Sequence, residues 1–184
     1  MKTFKICTLF LSVVIFAIGC MTQFNIIKEN PKSVNLSSYN SIYVGWLDLG
    51  PNLYGHKPAE WITENRRNNV DGLQIYLKDA LPGKKIIGAM SPADMYAGNA
   101  DLQLQFKLNG KIKFENVFVK VCELPVEITY IDGKTGRVLY VSTVMATCVA
   151  PFPRNWKAQS FDGALDNDIY NLANGIAAKI KSGK

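Results

Sequence analysis

Residues 117–150 read VFVKVCELPVEITYIDGKTGRVLYVSTVMATCVA. Two runs rich in Val, Ile, Thr and Tyr flank Asp132-Gly133-Lys134-Thr135-Gly136. Strand-forming runs on either side of a turn that carries Asp and Gly are the pattern of an antiparallel hairpin, and Gly136 suits the left-handed position of such a turn. With a loop of Lys134, Thr135 and Gly136, Gly133 closes against Arg137, and the register sets Cys122 directly opposite Cys148. Phe118, Leu124, Val126, Ile128 and Tyr130 then share a face with Val138, Tyr140, Val144 and Ala146, so one face of the hairpin is apolar and both thiols turn into it. The reading predicts a cross-strand disulfide, the alternative being two reduced core thiols, which bury readily. The pair lacks the Cys-x-x-Cys spacing of an oxidoreductase. Pro125 cannot donate to a ladder, so its strand is expected to bulge there or to lie at an edge.

Outward from the hairpin, Asp101–Leu108 alternates Leu102, Leu104, Phe106 and Leu108 with Gln103, Gln105 and Lys107, the pattern of a half-buried antiparallel strand. Lys85–Ala89 is a short strand, and Asn40–Leu49 ending at Gly50-Pro51 reads as the first strand. Between them a helix is expected from Pro58 to Leu81, opened by a proline whose missing N–H costs nothing there and closed by Pro82-Gly83. Downstream, Pro151–Trp156 is a stiff aromatic loop. From Phe161 the residues Leu165, Ile169, Leu172, Ile176 and Ile180 recur at steps of three and four, predicting an amphipathic C-terminal helix. The expected fold class is α+β: a mainly antiparallel sheet of about five strands, one long helix after strand 1, and a C-terminal helix packed on one face.

The N-terminus supplies the address. Lys2 and Lys5 precede an apolar run, Ile6–Ile18, of about thirteen residues, within the usual signal h-region and short of the 18 to 20 a spanning helix needs. The run closes on Phe16-Ala17-Ile18-Gly19-Cys20. This stretch resembles the lipobox of bacterial lipoprotein signals, with Ala17 standing where Leu is more usual. The resemblance implies cleavage before Cys20 and acylation of its thiol, and Met21, which is not Asp, favours the outer membrane by analogy with enterobacterial sorting. The chain thus divides into a signal peptide (1–19), a lipidated N-terminus and short polar tether (20–38), and a single α+β domain (39–184).

Three further stretches, Tyr39-Asn40-Ser41-Ile42-Tyr43-Val44, Ala100-Asp101-Leu102-Gln103-Leu104 and Ile131–Leu139, resemble those of small α+β envelope-assembly lipoproteins such as the penicillin-binding-protein activators and the curli-secretion lipoprotein. The tether here is far shorter than the activators' proline-rich arm, and no extra membrane-inserting hairpins are evident. The resemblance implies a fold more than a function.

The composition narrows the chemistry. A net charge of +6 on 184 residues falls to +4 without Lys2 and Lys5, and no block of like charge forms, so nucleic acid is not an expected partner. The single histidine, His56, lies in a Gly- and Pro-flanked loop and reads as a surface histidine: a zinc site normally needs several His or Cys ligands, and a His-based triad would rest wholly on it. Asp166-Asn167-Asp168 lacks the central glycine and later glutamate of a calcium loop. No catalytic residue, metal or cofactor is expected. The aromatics Trp46, Tyr54, Phe152 and Trp156, in or beside loops, are the candidate partner-binding residues, the alternative being that they pad seams between helix and sheet. The expected function is a non-enzymatic binding or assembly module, lipid-anchored at Cys20 on the outer membrane, whose partner is an envelope protein. The alternatives are a surface antigen or adhesin meeting a host ligand, and, third, an envelope enzyme.

Overall fold

The computed structural model describes residues 21–49, 72–89, 100–116, 119–151 and 161–182. Its elements are β1 (Met21–Asn30), β2 (Ser41–Val44), a helix α1 (72–80), β3 (Lys85–Gly88), β4 (Leu102–Leu108), β5 (Lys113–Asn116), β6 (Val119–Asp132), β7 (Val138–Pro151) and α2 (Phe161–Ser182). The fold is α+β. Its strands form one seven-stranded sheet in the order β1-β7-β6-β4-β2-β3, with β5 beside β6 off that path.

The hairpin is the centre of the sheet. Cys122 pairs with Cys148, and the predicted register holds from Val119 opposite Pro151 to Tyr130 opposite Tyr140. The turn differs: Asp132 N–H donates to the Arg137 carbonyl at 2.9 Å, so the loop is one residue longer than expected, and a bulge between Tyr130 and Ile131 restores the register. Gly136 takes the left-handed conformation at φ 71°.

Pro125 sits neither at an edge nor in a bulge. Its strand is flanked on one side by β7 and on the other by β4, which pairs with Val126–Asp132, and by β5, which pairs with Lys120–Glu123. Pro125 therefore faces the break between β4 and β5. Its carbonyl accepts the Asn109 N–H at 2.9 Å on that side, so the N–H it lacks would have pointed into the same break, and no ladder bond is forgone. Gly110, at φ 122°, turns the chain through the interruption.

Three expectations are corrected. The sheet has seven strands and is mixed, because β2 runs parallel to both β3 and β4. The expected long helix after the first strand is not matched: helical structure is described for 72–80, and 58–71 lie outside the described residues. The stretch 20–38, read as a tether, holds β1, a ten-residue strand antiparallel to β7 from Met21 opposite Val149 to Asn30 opposite Val141. Its sequence is polar because an edge strand needs partners on one side only, and β7 provides them.

Both helices cover one face. Leu73, Leu77 and Leu81 from α1, with the last following its final turn, and Leu165, Ile169, Leu172, Ile176 and Ile180 from α2 pack on Ile42, Val44, Leu102, Leu104, Val126, Ile128 and Val144. Leu36, between β1 and β2, is fully buried in the same core. On the other face Trp46 and Ile87 pack on a small cluster of Tyr43, Ala89 and Ala100.

Candidate functional site

The strands define two ends. At one end lie the first residue of β1, the last of β7 and the first of β6. Cys20 immediately precedes that end in sequence, though it lies outside the described residues itself. Under this end α2 presses Asp168 towards the hairpin.

Cys122, Cys148 and Asp168 are all fully buried. The thiols stand opposite each other as predicted, but no disulfide joins them. Neither Asp168 oxygen has a hydrogen-bond partner of good geometry. Burial therefore pushes its carboxyl up to about 8; the neighbouring Cys122 thiol and Cys148 backbone N–H lower it, and Glu123 adds to the rise. The Cys122 thiol is itself pushed up, first by burial and then by Asp168. A neutral acid beside a Cys122 thiol held protonated is a poor nucleophilic centre, because the thiolate is the reactive species.

At the opposite end the three stretches that carry the resemblance meet. The Asp132 carboxylate accepts the backbone N–H of Lys134 and Thr135 at 3.0 and 2.8 Å, the Thr135 hydroxyl at 2.9 Å and the Tyr39 hydroxyl at 3.0 Å. Asp101 accepts the Ser41 hydroxyl at 3.0 Å and returns its own N–H to that oxygen at 2.8 Å, while Lys134 lies 3.4 Å from the other carboxylate oxygen. These bonds hold Asp132 and Asp101 below the usual carboxylate range, led for Asp132 by the Thr135 N–H and for Asp101 by Ser41. The cluster ties the starts of β2 and β4 to the hairpin turn, and the chain's own donors occupy both carboxylates.

A third polar group lies between β1 and α2. Tyr140 donates its hydroxyl to Glu29, and Lys179, 4.3 Å above the Tyr140 ring centre, reaches Glu29 at 3.4 Å. Glu29 is held below its ordinary range, first by the Tyr140 bond. The sequence placed Tyr140 on the apolar face of the hairpin but pointed to neither Glu29 nor Lys179 beside it, because only the β1–β7 pairing brings the three together.

Of the four candidate aromatics, Trp46 is half-buried in the small cluster of the second face. Tyr54, Phe152 and Trp156 lie outside the described residues. Among the described residues no group of three or more His, Cys, Asp or Glu is arranged to hold a metal ion.

No protein-family model matches the chain, and no curated protein matches it in sequence. Solved structures similar to it include PelC from Paraburkholderia phytofirmans, crystallised as a dodecamer, at 13% identity over 89% of this chain and 96% of that one, with a TM-score of 0.45. Protein XCC0632 from Xanthomonas campestris is 11% identical over 80% and 86% of the two chains, with a TM-score of 0.48. Lipoprotein GNA1162 from Neisseria meningitidis is 17% identical over 74% and 97%, with a TM-score of 0.37. Lipoproteins are thus among the similar structures, and likenesses of this degree decide neither activity nor partner.

Proposed function

We propose that the chain is a bacterial envelope lipoprotein, acylated at Cys20 and held to the outer membrane, that works without catalysis as a binding or assembly module. The observation that carries the reading is the position of β1: the first described strand begins at Met21, directly after the lipobox cysteine, so lipid and sheet meet at one peptide bond. No helix among the described residues is long and apolar enough to cross a membrane. The non-catalytic role is supported by the occupation of Asp101 and Asp132 by the chain's own donors. Contacts to an envelope partner fall to Tyr54, Phe152 and Trp156, with Trp46 contributing what its half-buried ring leaves open.

The same compartment permits disulfides. Cys122 and Cys148, opposed across the hairpin, are expected to be oxidised in the mature protein. Two reactive thiols per denatured chain would remove that part of the proposal.

Growth with labelled palmitate tests the anchor. Label is expected on the wild type and absent from Cys20→Ser, and an unlabelled wild type overturns the reading. Protease applied to intact and permeabilised cells then assigns the face. Digestion only after permeabilisation is expected of an envelope module, whereas digestion on intact cells would make it a surface antigen or adhesin.

A further inference from the structure

An open sheet leaves two edges, and among the described residues one of them is β1, paired with β7 on its inner side only. In water such an edge is a template for wrong pairing, and short length or flanking charge normally blunts it. β1 is ten residues long, and it carries two of the exposed large hydrophobic residues side by side, Ile26 at 45% and Ile27 at 60%.

A bulge sets what this edge presents. Phe24 and Ile26 pair with Ala146 and Val144 on the helix side; the register then slips at Ile27, so that Lys28 pairs with Thr143 and Glu29 with Ser142. Without the slip Lys28 would fall opposite Ser142, on the helix side, and Glu29 opposite Val141, facing outwards. With it, Glu29 turns in to Tyr140 and Lys179, while Ile27 and Lys28 turn out. Glu29 is the sole carboxylate between Met21 and Leu47. The exposed strip from Gln23 to Lys32 therefore offers amides, two isoleucines and the cations Lys28 and Lys32, with its one anion engaged inside.

Apolar side chains flanked by cations, with the one carboxylate of the strip half-buried and paired to Tyr140 and Lys179, suit the boundary between anionic headgroups and acyl chains. Cys20 and Met21 are neighbours, with Cα atoms about 3.8 Å apart, so the strip begins at the lipid attachment and has no linker to carry it away. We infer that β1 lies along the membrane surface, with Ile26 and Ile27 at the lipid interface and Lys28 and Lys32 among the headgroups. The domain thus rests on its sheet edge. In the other orientation, with the strand upright, Ile27 would stand roughly 23 Å above the attachment at about 3.3 Å per residue.

This inference rests on acylation at Cys20, and the experiment separates the two. Ile27→Cys and Val138→Cys are made singly in the full chain. Val138 is a suitable reference, being 52% exposed at the end of β7 remote from Cys20. Each is labelled with a membrane-impermeant maleimide in open membrane fragments, alongside palmitate incorporation. The same variants are labelled in a soluble form that starts at Met21, which retains every described element. The expected result is labelling at position 27 at least about fivefold slower in membranes than in the soluble form, with position 138 unchanged. Palmitate incorporation with equal labelling at 27 in both forms overturns the inference and leaves the anchor standing. Protection at 27 in both forms also overturns it, since protein would then be covering the edge. Absence of palmitate brings down the anchor and the inference together.

Discussion

Asp168 is the residue whose position conflicts most with its chemistry. A carboxyl that titrates near 3.9 in an unfolded chain and at about 8 in the fold binds one extra proton on folding throughout that window. Its contribution is most favourable below the unfolded value and is lost as pH rises towards 8. Wild-type stability in urea is therefore expected to fall between pH 5 and pH 8. Asp168→Asn, which keeps the shape and removes the titration, should flatten that fall and stabilise the protein at pH 8 by about 1 to 3 kcal/mol, the usual cost of an unsatisfied buried polar group. An unchanged slope in the variant would assign it to another group. Sequence alone could not find this. Asp166-Asn167-Asp168 drew attention as a failed calcium loop, and in the fold its last member turns beneath the hairpin while Asp166 accepts the Tyr76 hydroxyl at 2.9 Å.

At the scale of elements, α2 and β1 fit through an absence. A Cβ on Gly175 would overlap the ring of Phe24, so the strand approaches α2 at a position where the helix has no side chain. Glycine inside a helix ordinarily costs about 1 kcal/mol relative to alanine. Here Gly175→Ala should reverse the sign and destabilise by about 1 to 3 kcal/mol, as overpacking does. Restoration by Phe24→Leu in the same chain would tie the loss to that contact, and a rise in the melting temperature of Gly175→Ala alone would refute the account. The elements also differ in how far they could be read. The period of three and four in α2 and the alternation in β4 are local signals, and both emerged where expected. The core face of β6 and β7 followed from one turn, and from Leu124 to Tyr130 and Tyr140 to Ala146 it survived an error in the loop because the bulge beside Tyr130 absorbed the extra residue; Val138, beyond the bulge, was expected inside and is exposed.

For the molecule as a whole, what escaped the sequence is what long-range pairing decides. Residues 21–30 look like a tether because half their partners are backbone groups on β7. The parallel contacts of β2 with β3 and β4 leave no mark in strands four and seven residues long, so a mainly antiparallel sheet was the simpler expectation. The polar cluster of Tyr39, Ser41, Asp101 and Asp132 was legible only as three separate stretches, two at strand starts and one at the hairpin turn, and the fold assembles them into a brace. The buried trio at the other end was half legible, since register predicted the opposed cysteines and nothing predicted the acid beside them.

The pairing of β1 with β7 also orders events in time. A chain is made N-terminus first, and Met21 must wait for Val149 before it has a partner. Contacts so distant in sequence form slowly, because loop closure precedes any gain from them. Throughout that interval Ile26 and Ile27 stay unpaired, and any factor that holds unfolded chains would meet this segment first and keep it longest.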